Sequence, residues 1–153
     1  MKSARPNIRT WLAWTIAVVL LLAAISKFAD LDEFRLNLSQ YQLSLPESLL
    51  QILAVGLPAV ELICALLLFP TKTRRIGLII AIGLFGLFTI VTGQAWARGL
   101  NISCGCVNLP FLSEKYAGIF ESAPFAFFRA LALTLATVGL LLAARQPARE
   151  INL

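Results

Sequence analysis

Apolar residues fill four long stretches of this chain, and charged residues collect between them. Three stretches, residues 10–26, 76–97 and 130–144, contain no Lys, Arg, Asp or Glu, and residues 48–71 contain only Glu61. A helix needs roughly 20 mostly apolar residues to cross about 30 Å of hydrocarbon. The pattern therefore predicts four membrane-spanning helices, at residues 10–29, 46–69, 76–97 and 124–144.

The segment after the first predicted span is too polar to cross a membrane, yet its apolar residues recur at helical spacing. These residues are Leu31, Phe34, Leu38 and Tyr41. Asp30 and Glu33 have the spacing of a capping box. The sequence thus predicts an all-α fold: an integral membrane four-helix transmembrane bundle, one domain over residues 1–153, with a short exoplasmic amphipathic helix.

The composition agrees with a membrane protein, since 59% of residues are hydrophobic and only 14% are charged. The net charge of +5 comes from clusters on one side of the predicted spans. These are Lys2, Arg5 and Arg9, then Lys72, Arg74 and Arg75, then Arg145 and Arg149. The positive-inside rule places these clusters and both termini in the cytoplasm, and residues 30–45 and 98–123 on the exoplasmic side.

This distribution predicts a multi-pass protein of the bacterial inner membrane. The lipid bilayer accounts for the basic charge, and nothing in the chain indicates a nucleic-acid surface. The uncharged run at 10–26 is longer than the apolar core of a signal peptide, so we expect it to remain as the first span.

Two cysteines, in the segment Cys104-Gly105-Cys106, lie just after the third span in a predicted exoplasmic segment, where disulfides persist. Gly105 allows the backbone fold that an i, i+2 disulfide requires, and so small a ring favours a labile, oxidising bond. The chain has no histidine, so neither haem nor zinc is expected. Three interpretations remain open: thiol–disulfide exchange, which the pattern favours, capture of a soft ion such as Cu(I), or a chemically silent pair.

Four charged residues near the predicted spans are candidates to support this chemistry. Glu61 lies 14 residues beyond Glu47, hence about 21 Å along a helix, where a carboxylate is expensive and usually has a partner. It is expected either to handle protons or position a polar ligand, or else to be neutralised by protonation or by a lysine or arginine from another span.

The three cations are Lys27, Arg98 and Arg129. Lys27 shares a helical face with small residues and is expected to point into the bundle, although a snorkelling position is equally allowed. Arg129 shares a face with Ala132, Ala136, Gly139 and Ala143, a predicted packing face. We expect the three cations to gather beneath the cysteines, where positive charge favours the thiolate.

Electrons taken from an exoplasmic partner need an acceptor, and the chain has no second cysteine pair. A quinone in the bilayer is the simplest hypothesis, with Lys27, Glu61 and Arg129 as candidate binding residues. Cys104, Cys106, Glu61 and Arg98 are the candidate catalytic residues, and no metal ligands are assigned.

Three motifs in order resemble one family. They are Lys27-Phe28-Ala29-Asp30, Leu57-Pro58-Ala59-Val60-Glu61, and Arg98-Gly99 followed by Cys104-Gly105-Cys106. This set is similar to the MauE branch of the DoxX-like membrane proteins, from about Trp11 to Ala144. The resemblance implies a role in maturing a disulfide-rich periplasmic dehydrogenase subunit, beside a thioredoxin-like or other periplasmic redox protein.

The same resemblance implies functional positions at Lys27, Glu61, Arg98, Cys104, Cys106 and Arg129. The chain departs from the family pattern at Val107-Asn108 and at Ala130. Two rival functions stay open. A non-catalytic accessory or assembly subunit would anchor a periplasmic redox protein, and a small-solute or metal transporter is less favoured without paired inverted repeats.

Overall fold

The structure is a computed structural model that describes residues 7–42, 46–100 and 122–145. Within these ranges the elements are all helices: α1 (Ile8–Ala29), α2 (Leu31–Gln40), α3 (Glu47–Leu68), α4 (Arg74–Ala97) and α5 (Ala123–Arg145). Four of them, α1, α3, α4 and α5, are long and apolar enough to cross a membrane. The predicted all-α fold with four spans is confirmed, and the ends of the four long helices lie within two residues of the predicted ends.

The four long helices pack in a ring in which α3 contacts α1 and α4, while α5 contacts α4 and, less extensively, α1. Their shared core is built from small and branched apolar residues. It includes Ala13, Ala17, Leu20, Cys64, Ala65, Leu68, Leu78, Ala81, Phe85 and Leu140. Small residues let helix backbones approach closely, which drives association where lipid tails are as apolar as the side chains.

One end of the bundle, here called the basic end, contains the start of α1, the turn between α3 and α4, and the end of α5. Arg9 ties the first and last helices together there, since its Nη1 donates to the backbone oxygen of Ala143 at 2.9 Å. The opposite end, here called the α2 end, contains the short helix and the end of α4.

The short helix α2 begins one residue after α1 ends. Asp30 separates the two helices with φ −144° and ψ 84°, and its Oδ1 accepts a hydrogen bond from the backbone N–H of Glu33 at 2.9 Å. This is the N-cap that the Asp30 and Glu33 spacing predicts. The apolar face of α2 packs on the first turns of α3, where Phe34 and Leu38 meet Leu50 and Ala54.

The prediction of which face of α5 packs against the bundle is wrong. The exposed small residues on that face are Ala132, Ala136 and Gly139. The buried positions are instead Ala126, Ala130, Thr137 and Leu140. The reason is the shape of α4: a Cβ on Gly93 would lie 3.0 Å from the Phe127 ring, so α5 fills that space with a large side chain. Arg129 is half-buried. Because most small residues on its face are exposed, that face gives no reason to expect Arg129 to point into the bundle.

Candidate functional site

A buried ion pair joins α1 to α3. Lys27 is 2% exposed, Glu61 is 1% exposed, and the Lys27 Nζ donates to Glu61 Oε1. The sequence left open whether Lys27 points into the bundle or snorkels, and whether Glu61 has a chemical role or is neutralised by a cation from another span. The structure places Lys27 inside the bundle, and Lys27 is the cation that pairs with Glu61.

The pair forms because the two helices run antiparallel and are offset along their length. Side chains on a helix lean toward its N-terminus, so Lys27 leans toward the basic end and Glu61 leans toward the α2 end. The first turns of α3 pack against α2. The lysine near the end of α1 therefore meets a carboxylate that lies far into α3. Small residues one turn before Lys27 and around Glu61, such as Ala24 and Ala65, leave room for both side chains.

Two aromatic rings enclose the ammonium group. The Lys27 Nζ lies 5.2 Å from the ring centroid of Phe34 on α2 and 4.6 Å from that of Phe88 on α4. Both distances are in the range of cation–π attraction, which is stronger when the cation is out of water. Four helices therefore converge on Lys27, and Phe34, itself 5% exposed, covers it from the α2 end.

One oxygen of the carboxylate is left open. Glu61 Oε2 is buried and has no hydrogen-bond partner among the described residues. A buried carboxylate oxygen without a donor is costly, so such an atom calls for an explanation. It is an acceptor that a polar ligand or a proton can use.

A defined C-terminal cap ends α4 and sets the direction in which the backbone leaves the helix. Gly99 has φ +66°. Its N–H donates to the backbone oxygen of Trp96 at 2.9 Å, and the N–H of Leu100 donates to the backbone oxygen of Ala95 at 3.0 Å. This is a Schellman motif, in which a glycine takes the left-handed conformation after the last helical turn. The backbone therefore leaves α4 in a defined orientation five residues before Cys104.

Contacts to the end of α2 hold this exit in place. Leu100 packs in a cluster with Tyr41 and Ala95. Arg98 is exposed, and its Nη2 donates to the side-chain oxygen of Gln42 at 3.0 Å. The end of α4 is thus attached to the same short helix whose Phe34 covers Lys27.

The structure does not bring all the predicted site residues together. Cys104 and Cys106 lie outside the described residues, so the gathering of Lys27, Arg98 and Arg129 beneath them stays a prediction. Lys27 is engaged with Glu61 in the bundle, whereas Arg98 is exposed at its surface.

Comparison with known proteins places the chain in a family. Residues 5–143 match the family model for methylamine utilisation protein MauE. The chain belongs to the MauE family. A MauE-family relative, the methylamine utilization protein MauE of Methylophilus methylotrophus, is 36% identical over 129 residues. That alignment covers 84% of this chain and 64% of the relative, so the chain spans less than two thirds of the relative's length. No solved structure matches the chain.

For this MauE-family chain, the family resemblance predicted from the three ordered motifs is confirmed. Two of those motifs meet in the structure, since Lys27 and Glu61 belong to the first and second.

Sequence reasoning missed three parts of the site: the Phe34 and Phe88 rings around Lys27, the Gln42 partner of Arg98, and the stop signal at Gly99. An Arg-Gly pair directly after an uncharged helical run is a readable signal for the last of these. Phe88 carried no comparable signal, because a phenylalanine in a membrane helix can equally face lipid.

Proposed function

We propose that this protein is a membrane-embedded thiol–disulfide redox component in which Cys104 and Cys106 exchange disulfides with a periplasmic thioredoxin-like partner. The observation that carries the proposal is the position of one buried, incompletely bonded carboxylate. Glu61 and its Lys27 partner lie under α2, and the end of α4, which leads into the Cys-Gly-Cys segment, is attached to that same helix. A candidate proton-handling group therefore lies close to the part of the bundle from which the chain continues toward Cys104 and Cys106.

The exchange itself balances with the two cysteines alone. A partner thiolate attacks one sulfur of the Cys104–Cys106 disulfide, the S–S bond breaks, and a mixed disulfide forms. The second partner thiolate then displaces the remaining cysteine, so the partner gains a disulfide. Cys104 and Cys106 receive two electrons and take up two protons. The same steps run in reverse with a partner of higher potential.

Arg98 is the cation best placed in sequence to assist these cysteines. Its guanidinium is exposed, six residues before Cys104, and the Gln42 bond holds it at the surface of the bundle. Positive charge near a cysteine favours the thiolate, which is the attacking and leaving species.

Reoxidation of the pair would require an acceptor of two electrons and two protons, and a quinone dissolved in the bilayer supplies that chemistry when bound. The donors and acceptors of the buried site suit such a group: the Lys27 ammonium can donate a hydrogen bond, and Glu61 Oε2 is an open acceptor. In this proposal Lys27 and Glu61 hold the group, with Arg129 as the predicted third residue. Glu61 takes up and releases a proton at Oε2, and the Phe34 ring keeps water from the pair.

The family description points to methylamine utilisation. We carry over to this chain only the kind of step involved, which is protein maturation, and not the methylamine pathway. The proposed role is to help mature a periplasmic protein rich in disulfides. This role agrees with the predicted exoplasmic position of Cys104 and Cys106.

Thiol alkylation and mass spectrometry of protein from native membranes, with and without reductant, test the proposal. We expect Cys104 and Cys106 to be oxidised before reduction and labelled afterwards, and a Cys104→Ser/Cys106→Ser variant to lose exchange with a thioredoxin-like substrate. If the double variant retains full activity with its partner in cells, the protein acts as an accessory subunit and the redox assignment is wrong.

A second variant tests the part played by the carboxylate. Glu61→Gln keeps the size of the side chain and a hydrogen-bond acceptor for Lys27 but removes the titrating group. We expect it to slow reoxidation of Cys104 and Cys106 while insertion into the membrane is unchanged. Glu47→Gln is the matched control, since that carboxylate is exposed and its ion-pair partner within residues 7–42, 46–100 and 122–145 is Arg35. Equal rates in all three proteins would assign Glu61 a structural role only.

A further inference from the structure

We propose that the cleft at the basic end binds the phosphate headgroup of an anionic phospholipid. The cleft has a volume of about 570 Å³ and lies between the α3–α4 turn, the start of α4 and the end of α5. Its lining residues are Thr71, Arg74, Arg75, Leu78, Leu141 and Ala144. Ligand sites in proteins have volumes of roughly 300–1,000 Å³, so the cleft is large enough for a headgroup and the first carbons of its chains.

Arg74 is held rigidly in the wall of this cleft. Its Nε donates to the backbone oxygen of Leu68 at 3.3 Å, its Nη2 to that of Phe69 at 3.4 Å, and its Nη1 to Thr10 Oγ1 at 3.3 Å. These bonds cap the end of α3 and connect it to α1. They use three of the five guanidinium N–H groups, so two remain for an anion, on a group that loses little further freedom on binding.

Arg75 supplies a charge that has no acidic counterpart among the described residues. Its side chain is exposed and makes no hydrogen bond or ion pair within the described part of the chain. The carboxylates of the described residues lie elsewhere, at Asp30, Asp32, Glu33 and Glu47 on the α2 end and at Glu61 in the pair with Lys27. Two adjacent arginines thus line the cleft, and none of the described carboxylates lies beside them. A phosphate bound in the cleft would contact both arginines.

The rest of the lining indicates a lipid and not a free anion. Leu78 is buried, Leu141 is half-buried, and both lie one to two turns from the helix ends that carry the arginines. Arg74 opens α4 and Arg145 closes α5, so the cleft is at the level where a spanning helix enters the headgroup layer. Basic pockets between membrane helices at this level are suited to anionic headgroups, with the acyl chains on the apolar wall.

This inference is independent of the cysteine chemistry proposed above, because the cleft lies at the other end of the bundle. It requires only that the basic end reaches a headgroup layer that contains anionic lipid.

Native mass spectrometry of the full-length protein, purified in an uncharged detergent, tests the proposal. The protein is titrated with phosphatidylglycerol and with phosphatidylcholine of the same chain length. We expect tighter binding of phosphatidylglycerol, and we expect Arg75→Gln to weaken that binding about five-fold, the effect of one cation near an anionic headgroup. Phosphatidylcholine binding should be unchanged by the substitution.

Two further variants and one competitor complete the experiment. Lys72→Gln is the matched control, since Lys72 is exposed three residues away and is not among the lining residues, so we expect no change in binding. Leu141→Trp fills the apolar wall and should displace the lipid with the charge intact; if it fails to fold, the exposed Arg75→Gln still decides. Equal binding of both lipids, equal losses in Arg75→Gln and Lys72→Gln, or displacement of phosphatidylglycerol by inorganic phosphate would each overturn the proposal.

Discussion

Breaking the Lys27–Glu61 pair from one side should destabilise the protein far more than removing both partners. Glu61→Leu leaves an ammonium group buried at 2% exposure, and Lys27→Met leaves a carboxylate buried at 1%. Removal of one member of a buried ion pair costs about 3–5 kcal/mol, because the remaining charge loses its partner without regaining water. In the double variant Lys27→Met/Glu61→Leu, apolar side chains of similar volume replace both charges, which is often neutral or stabilising.

The two single variants should also differ from each other. In Glu61→Leu the ammonium keeps Phe34 and Phe88 near it, at 5.2 Å and 4.6 Å, and such contacts contribute about 1–2 kcal/mol each when desolvated. Glu61→Leu should therefore lie toward the lower end of the range and Lys27→Met toward the upper end. We expect the double variant to lie within about 1 kcal/mol of the natural sequence, against a summed loss of about 6–10 kcal/mol for two independent changes.

The assay is reversible unfolding in mixed micelles, followed by circular dichroism as the fraction of denaturing detergent rises. The exposed pair between Arg35 and Glu47, at 3.3 Å, provides the matched control. Surface pairs of this kind contribute about 0–1 kcal/mol, so the corresponding cycle with Arg35→Met and Glu47→Gln should show little coupling. Additive losses for Lys27→Met and Glu61→Leu would contradict this prediction, since they would mean that the two charges do not compensate each other.

Glycine substitutions probe the packing and the end of α4, with the free energy of unfolding as the measurement. A thiol label probes the burial of Cys64. Gly93→Ala should cost about 1–3 kcal/mol, because the new Cβ would lie 3.0 Å from the Phe127 ring, whereas Gly86→Ala, with nothing within 4 Å, should not destabilise the protein. Gly99→Ala should cost about 1–2 kcal/mol, because φ is +66° there; an unchanged stability would contradict the helix stop. The Cys64 thiol is fully buried, so a maleimide should label it only after unfolding, and rapid labelling of the folded protein would disprove that burial.

The helices of this protein could be predicted well because the membrane sets their length and excludes charge. Long apolar runs with few charged residues predicted each span, and Asp30 with Glu33 predicted the start of α2. The partner of Glu61 was less determined, since three cations were available. Side-chain lean does not separate Lys27 from Arg98, because α1 and α4 both run antiparallel to α3. The choice depends on how far each helix is offset from α3, and hydropathy carries no information on offset.

The packing face of α5 could not be derived from α5 alone. Its small residues satisfy the usual criterion for a close contact, yet the helix turns Ala126, Ala130 and Thr137 inward. Gly93 of α4 provides the space, and Phe127 occupies it. The face that a membrane helix buries depends on complementarity with the surface of its neighbour. The sequence of one helix alone therefore does not determine which face is buried.

The segment made of α2 and the two residues that follow it takes part in two structures at once. Phe34 closes the space around an ammonium group, while Tyr41 and the adjoining Gln42 fix the point where the chain departs from α4. A replacement of this segment, for example by the corresponding piece of a relative, would therefore alter the water access of a buried charge and the direction of an external loop in one operation. An engineer who wished to vary only one of the two would have to leave α2 alone.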